Sequence, residues 1–173
     1  KMTATDCPVQ LDVLPKDVLS EQVVRKGIAS AYWQGRFEVM EKNPSLIIDG
    51  AHNPDGVQSL VDSMKAYLSA KPVILVMGVF ADKEYKIVLE KTAHFAEKIY
   101  TIETPDNPRA LPAEELAKAA RVYNSSAEST KSIKDAVEKA FSCAGDDENS
   151  VILAFGSLSF IGALTNAVEE YVG

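Results

Sequence analysis

The chain has 173 residues, 46% of them apolar, enough for one domain with a substantial core and at most a short appendage. A net charge of −7 and a pI near 4.9 argue against nucleic-acid and anionic-membrane partners, so any polyanion must be met by locally placed groups. There is no leader-like segment and no apolar run of bilayer length, and Cys7 and Cys143 lack metal-like spacing, so a cytoplasmic protein with reduced thiols is expected.

The first residues, starting at Lys1, carry no clear periodic element, which suggests a fragment. A helix is predicted over 17–32, with Val18, Val23, Val24 and Ile28 apolar, in a connection rather than in the main sheet. Tyr32 and Trp33 read as packing residues. "RFEVM" at 36–40 is a strand joined to the next by "EKNPS" alone, too short for a parallel crossover, so the two form an antiparallel hairpin. A turn near Asn43 sets Arg36 opposite about Gly50, on the same rim as Asp49.

Short apolar runs then alternate with amphipathic helices. The runs are "LII" at 46–48, "VILVMGV" at 73–79, "KIYTI" at 98–102, "RVY" at 121–123 and "VILAF" at 151–155. Their β-branched, two-sided apolar character fits parallel strands covered on both faces. Helices are predicted from Pro54 through Leu68, over 85–96 with Asp82 as its cap, after Pro112, across Ile133–Phe141, and from about Ile161 to Tyr171. "GDDENS" at 145–150 reads as a solvated acidic loop, and His94 as a structural residue inside a helix. This pattern specifies an α/β fold: a Rossmann-like, mostly parallel sheet of about six strands, one antiparallel edge strand, and helices on both faces.

In such a sheet, ligands bind beyond the carboxyl ends of the strands, and the polar clusters fall there. In "DGAHNPDG", Asp49 offers a carboxylate to ribose hydroxyls or an adenine amino group, and His52 a donor to carboxylate or phosphate. Together they read as functional, because a charge directly ending an apolar strand has no structural motive. For Asn53, capping the helix begun by Pro54 is at least as good a reading as ligand contact. Arg36 follows Gly35 and suits phosphate oxygens, while a surface ion pair is the alternative. Arg109 in "DNPR" suits an amino-acid carboxylate, against a rigid turn. Ser157 in "GSLS" reads equally as ligand contact and N-cap. Lys83 is an ordinary turn lysine. No G-x-x-x-x-G-K-[ST], no G-x-G-x-x-G after a strand and no Cys/His cluster occurs, so nucleotide-ligating fringes stand without a phosphate loop, and no metal site is expected within the chain.

Four motifs taken together, "WQGRFEV", "LIIDGAHNPDG", "TPDNPRALPAEEL" and "AFGSLSFIGAL", resemble the carboxyl-terminal domain of bacterial folylpolyglutamate synthase/dihydrofolate synthase, in the Mur ligase superfamily. The resemblance covers about 32–171, with departures at Gln34, Ser159 and Ala163. It implies residues 1–31 as linker or tail of a preceding ATPase domain, and 32–173 as the Mur ligase-like domain. It also implies an ATP-dependent ligase adding L-glutamate to a folate, or to dihydropteroate, through an acyl phosphate. ATP with Mg2+ would be held mainly by the separate P-loop domain of a monomeric enzyme, and the isolated chain would be inactive. Arg36 would reach the ATP phosphates, Asp49 the nucleoside, and His52 and Ser157 the incoming glutamate, with Arg109 a candidate for its carboxylate. A Mur-type peptidoglycan-precursor ligase domain and a free-standing Rossmann-like binding module are the rival readings.

Overall fold

The structure is a computed structural model that describes residues 20–30 and 35–173. The chain divides into two compact units, Lys1–Gln34 and Gly35–Gly173. In the first, α1 (Glu21–Ser30) lies within the helix expected over 17–32, and Ser20 Oγ accepts from Val23 N at 3.3 Å. An ion pair links Glu21 and Arg25 one turn apart. The expected positions of residues 17–19, Tyr32 and Trp33, and Cys7, lie outside the described residues.

The second unit is built on six strands: β1 (Glu38–Lys42), β2 (Ser45–Asp49), β3 (Val73–Met77), β4 (Lys98–Thr101), β5 (Ala127–Ser129) and β6 (Val151–Phe155). Their order is β1-β2-β6-β3-β4-β5. Only β1–β2 is antiparallel, with Glu38 opposite Ile48 and a bulge between Val39 and Glu41. The expected hairpin is therefore present, and Gly50 N donates to Gly35 O at 2.8 Å, one residue from the expected Arg36–Gly50 register.

Alternation along the strands sorts the core into two layers. Ile47, Val73, Leu75, Met77, Ile99, Leu153 and Phe155 face α2 (Pro54–Tyr67), α3 (Tyr85–Thr92) and α4 (Ala113–Ala120). Leu46, Ile48, Ile74, Val76, Ile152 and Ala154 face α5 (Ile133–Ala144) and α6 (Leu158–Val172). Strands buried on both faces explain the unbroken apolar runs.

Three local expectations are corrected. "RVY" is not a strand: Arg121–Tyr123 form the turn after α4, with Val122 exposed. The edge strand is the polar Ala127–Ser129, pairing with Ile99–Thr101. Short polar edge strands leave little apolar signal. Asp82 does not cap α3, because its carboxylate is taken by Arg109, and Glu84 stands at the cap without a side-chain bond. His94 is not inside an α-helix. It lies exposed in a 3-10 turn, Ala93–Phe95, after α3 ends at Thr92.

Among the described residues, no helix is long and apolar enough to cross a membrane.

Candidate functional site

The topology concentrates ligating groups at one place. Adjacent strands β2 and β6 send their following helices to opposite faces, α2 to one layer and α6 to the other. A crevice opens at such a switch point, beyond the carboxyl ends of the two strands. The loop Gly50–Asn53 and the turn Gly156–Ser157 leave the two strands at this point. Phe155 aligns with Asp49, so both loops leave the sheet at the same level.

Arg36 lines one cleft with the loop Gly50–Asn53. Its neighbours both have positive φ, 71° at Gly35 and 45° at Phe37. Gly35 adopts this freely, whereas an aromatic residue there is strained. Two carboxylates hold the bend: Glu38 accepts from Gly35 N at 2.7 Å, and Asp49 Oδ2 from Phe37 N at 2.8 Å. The exposed Arg36 side chain thus leaves a backbone whose direction is fixed.

Asp49 ends β2 with 8% exposure, and its Oδ1 accepts from Ala51 N at 2.7 Å. One side chain therefore ties the start of β1 to the loop after β2. Each oxygen keeps a further lone pair. Burial pushes the Asp49 carboxyl above its ordinary value, outweighing the opposing pull of the Ala51 and Phe37 N–H groups and of the Arg36 charge. Because the folded-state pKa is raised, the associated stability is complete below the usual carboxylate range. It is lost as pH rises through the raised value. Asp49→Asn removes that pH dependence and sets an amide N–H against one of the two backbone donors. Thermal denaturation followed across acidic pH is expected to show both the lost dependence and a net destabilisation of about 1–3 kcal/mol.

His52 is half-buried, with Nδ1 2.8 Å from Gly50 O. A carbonyl oxygen can only accept, so Nδ1 carries the proton and Nε2 is the free ring nitrogen. Asn53 caps α2, its Oδ1 accepting from Gly56 N at 2.8 Å, with Pro54 in the first turn. Arg36, His52 and Asn53 line a common cleft of about 290 Å3 with Asp55 and Ser59, at the amino terminus of α2. This helix end favours anions. The cleft suits a phosphate or an amino acid, being at the small end for organic ligands.

Ser157 is buried and caps α6, its Oγ accepting from Ser159 N at 3.1 Å. The next residue, Leu158, explains Gly50: a Cβ there would lie 2.4 Å from Leu158 Cδ2. Arg109 does not join the cleft. Its loop follows β4, three strand spacings from β2, about 14 Å at the rim. It folds onto the loop after β3 through Ala81 N to Arg109 O at 2.8 Å and Leu111 N to Val79 O at 3.0 Å. The guanidinium pairs with Asp82 and covers the Phe80 ring at 4.9 Å. Hydrogen bonding to Arg109 holds the Asp82 carboxyl below its ordinary value. Among the described residues, no three His, Cys, Asp or Glu side chains gather to hold a metal.

With this geometry in view, the match to known proteins is specific: residues 35–158 match the family described as "Mur ligase, glutamate ligase domain". The chain belongs to that family. The matched stretch opens at the bend carrying Arg36 and closes at Leu158 against Gly50, so it contains both loops at the crevice. A dihydrofolate synthase/folylpolyglutamate synthase from Bacillus subtilis is 31% identical over 151 residues, covering 87% of this chain and 34% of that protein. The structure of E. coli FolC in complex with DHPP and ADP superposes with a TM-score of 0.77 at 27% identity, over 90% of this chain and 36% of that one. A bifunctional folylpolyglutamate synthase/dihydrofolate synthase with Mn, AMPPNP and L-glutamate bound gives a TM-score of 0.75 at 28% identity, again over 90% and 36%. The chain thus spans about a third of the length of these relatives.

Within this glutamate ligase domain, sequence reasoning missed Glu38, Asp55 and Ser59, and gave Asp82 a capping role in place of its pairing with Arg109. Asp55 and Ser59 were detectable as an i, i+4 pair on one face of the helix begun by Pro54. Glu38 and Asp82 carry no local signal, since each acts through a turn or a loop brought to it by the sheet.

Proposed function

We propose that this domain is one wall of the active site of an ATP-dependent folylpolyglutamate synthase, adding L-glutamate to a folate and, in a bifunctional enzyme, to dihydropteroate. The observation carrying this reading is the strained bend at Arg36, fastened to Asp49 and lining one cleft with His52 at the start of α2. Strain retained at a crevice is a mark of function. Support also comes from relatives named as such synthases, one of them with ADP and another with AMPPNP and L-glutamate.

In this reading residues 1–31 are the linker or tail of a P-loop ATPase domain, and 32–173 form the glutamate ligase domain. That partner domain holds Mg2+ and most of ATP. Arg36 reaches across to the ATP phosphates, where fixed positive charge stabilises phosphoryl transfer to the acceptor carboxylate. Asp49 uses its remaining lone pairs on the nucleoside, and Asn53 shapes the helix end that meets the anion. The resulting acyl phosphate is attacked by the glutamate amine, with His52 and Ser157 positioning the amino acid. Arg109, held by Asp82 and Phe80, serves the glutamate carboxylate only if the loops close. The exposed, free Cys143 fits a reducing compartment, and the cytoplasm is the location we assign.

The test is ATP-dependent incorporation of labelled glutamate by the full-length enzyme, offered a reduced folate or a UDP-linked muramyl peptide. Label is expected in the folate. Label in the peptidoglycan precursor alone would overturn the assignment.

A further inference from the structure

The strained residue of the bend is an aromatic one. Phe37 has φ of 45°, a region that glycine enters freely and a bulky side chain enters only at a cost. Its half-buried ring packs on the core layer that α2 covers, and lies 5.9 Å from the ring of Tyr67, the last residue of that helix. An aromatic pair at this separation stabilises beyond the area it buries. α2 therefore meets the bend twice: residues of its amino terminus share the cleft with Arg36, and its last residue meets Phe37.

Between these contacts the backbone is pinned on both sides of Arg36. Gly35 O accepts from Gly50 N at 2.8 Å, and Phe37 N donates to Asp49 Oδ2 at 2.8 Å. These groups belong to the two peptide planes that flank the Arg36 Cα, so their bonds set the direction in which the Arg36 side chain starts. We propose, on the ligase reading above, that Phe37 is a positioning residue for Arg36: its ring, seated on Tyr67 and the core, holds the bend that aims the guanidinium into the cleft. Removing the ring takes away this anchor and leaves every side chain that lines the cleft in place.

Two measurements test this. In the 173-residue chain, the Gly50 amide, which is bonded only while the bend is closed, should exchange with solvent deuterium about tenfold faster or more in Phe37→Gly than in the wild type. An unchanged rate overturns the anchor. In the full-length enzyme, Phe37→Gly should lower kcat for glutamate addition about 10- to 100-fold, and Phe37→Tyr, which keeps the ring, should recover most of that loss. In an Arg36→Ala background, Phe37→Gly should change kcat by less than about twofold, because the aim of an absent guanidinium cannot be lost. A residue that merely supports the fold would lower kcat by the same factor in both backgrounds, or lower only the melting temperature, and either result overturns the role of Phe37. Phe37→Leu, which keeps bulk without the ring, supplies the same comparison where Phe37→Gly does not fold. A wild-type enzyme forming no ADP from ATP and folate overturns the ligase reading and the positioning role with it, whereas unchanged Gly50 exchange overturns the anchor alone.

Discussion

Arg36→Ala in the full-length enzyme is expected to lower kcat for glutamate addition about 100- to 1,000-fold, corresponding to about 3–4 kcal/mol of lost transition-state stabilisation. The melting temperature should stay near that of the wild type. Arg36 is exposed, and the bend that carries it is held by the backbone N–H groups of Gly35 and Phe37, which donate to the Glu38 and Asp49 carboxylates. Truncation therefore removes charge from the crevice while these two backbone bonds remain. Arg36→Lys should recover little, because a point charge on a flexible stem does not reproduce paired donors on adjacent phosphate oxygens. Steady-state kinetics alongside thermal denaturation separate the cases: a lowered melting temperature with normal turnover of the folded fraction would make Arg36 a structural residue.

Gly156→Ala is expected to be the most damaging single methyl addition at the crevice, destabilising the domain by about 2–4 kcal/mol. Two causes act together. Gly156 has φ of 117°, which side chains rarely adopt, and a Cβ there would lie 2.5 Å from Gly78 O, a backbone atom of the loop after β3. Relief would require parting β6 from β3, where Gly78 N meets Phe155 O at 3.4 Å. At Gly50 the equivalent clash is with Leu158, whose half-exposed side chain can turn away, so Gly50→Ala should cost less stability. Chemical denaturation of the two variants ranks them, and equal midpoints would contradict the backbone argument.

These contrasts mark what the sequence could disclose. Apolar runs at 46–48, 73–77 and 151–155 announced β2, β3 and β6, because strands buried on both faces need side chains of one kind. The five-residue link at 41–45 announced the hairpin, and with it Arg36 close to Gly50, because chain length permits little else. β5 escaped, since its three residues include Glu128 and Ser129 and are selected by pairing to β4 rather than by burial. Strand order was equally hidden. Nothing local says that the last strand inserts between β2 and β3, yet this insertion makes the switch point and puts Ser157 beside the Asp49 loop.

Within the site, residue types were legible and bonding partners were not. Asp49, His52 and Asn53 were conspicuous by their position after a strand. That Asp49 fastens the Arg36 bend, that Asn53 is committed to its cap, and that His52 has only Nε2 to offer all depend on which backbone groups lie near them. Arg109 shows the converse: a suggestive tetrapeptide, but a side chain already occupied by Asp82 and Phe80 on another part of the rim.

The central claim is that these groups form half of a catalytic centre. It is tested most directly by folate- and glutamate-dependent ADP release from this 173-residue chain, alone and together with the P-loop portion of a folylpolyglutamate synthase. The account predicts no release from the chain alone and release when both portions are present. Turnover by the chain alone would contradict it.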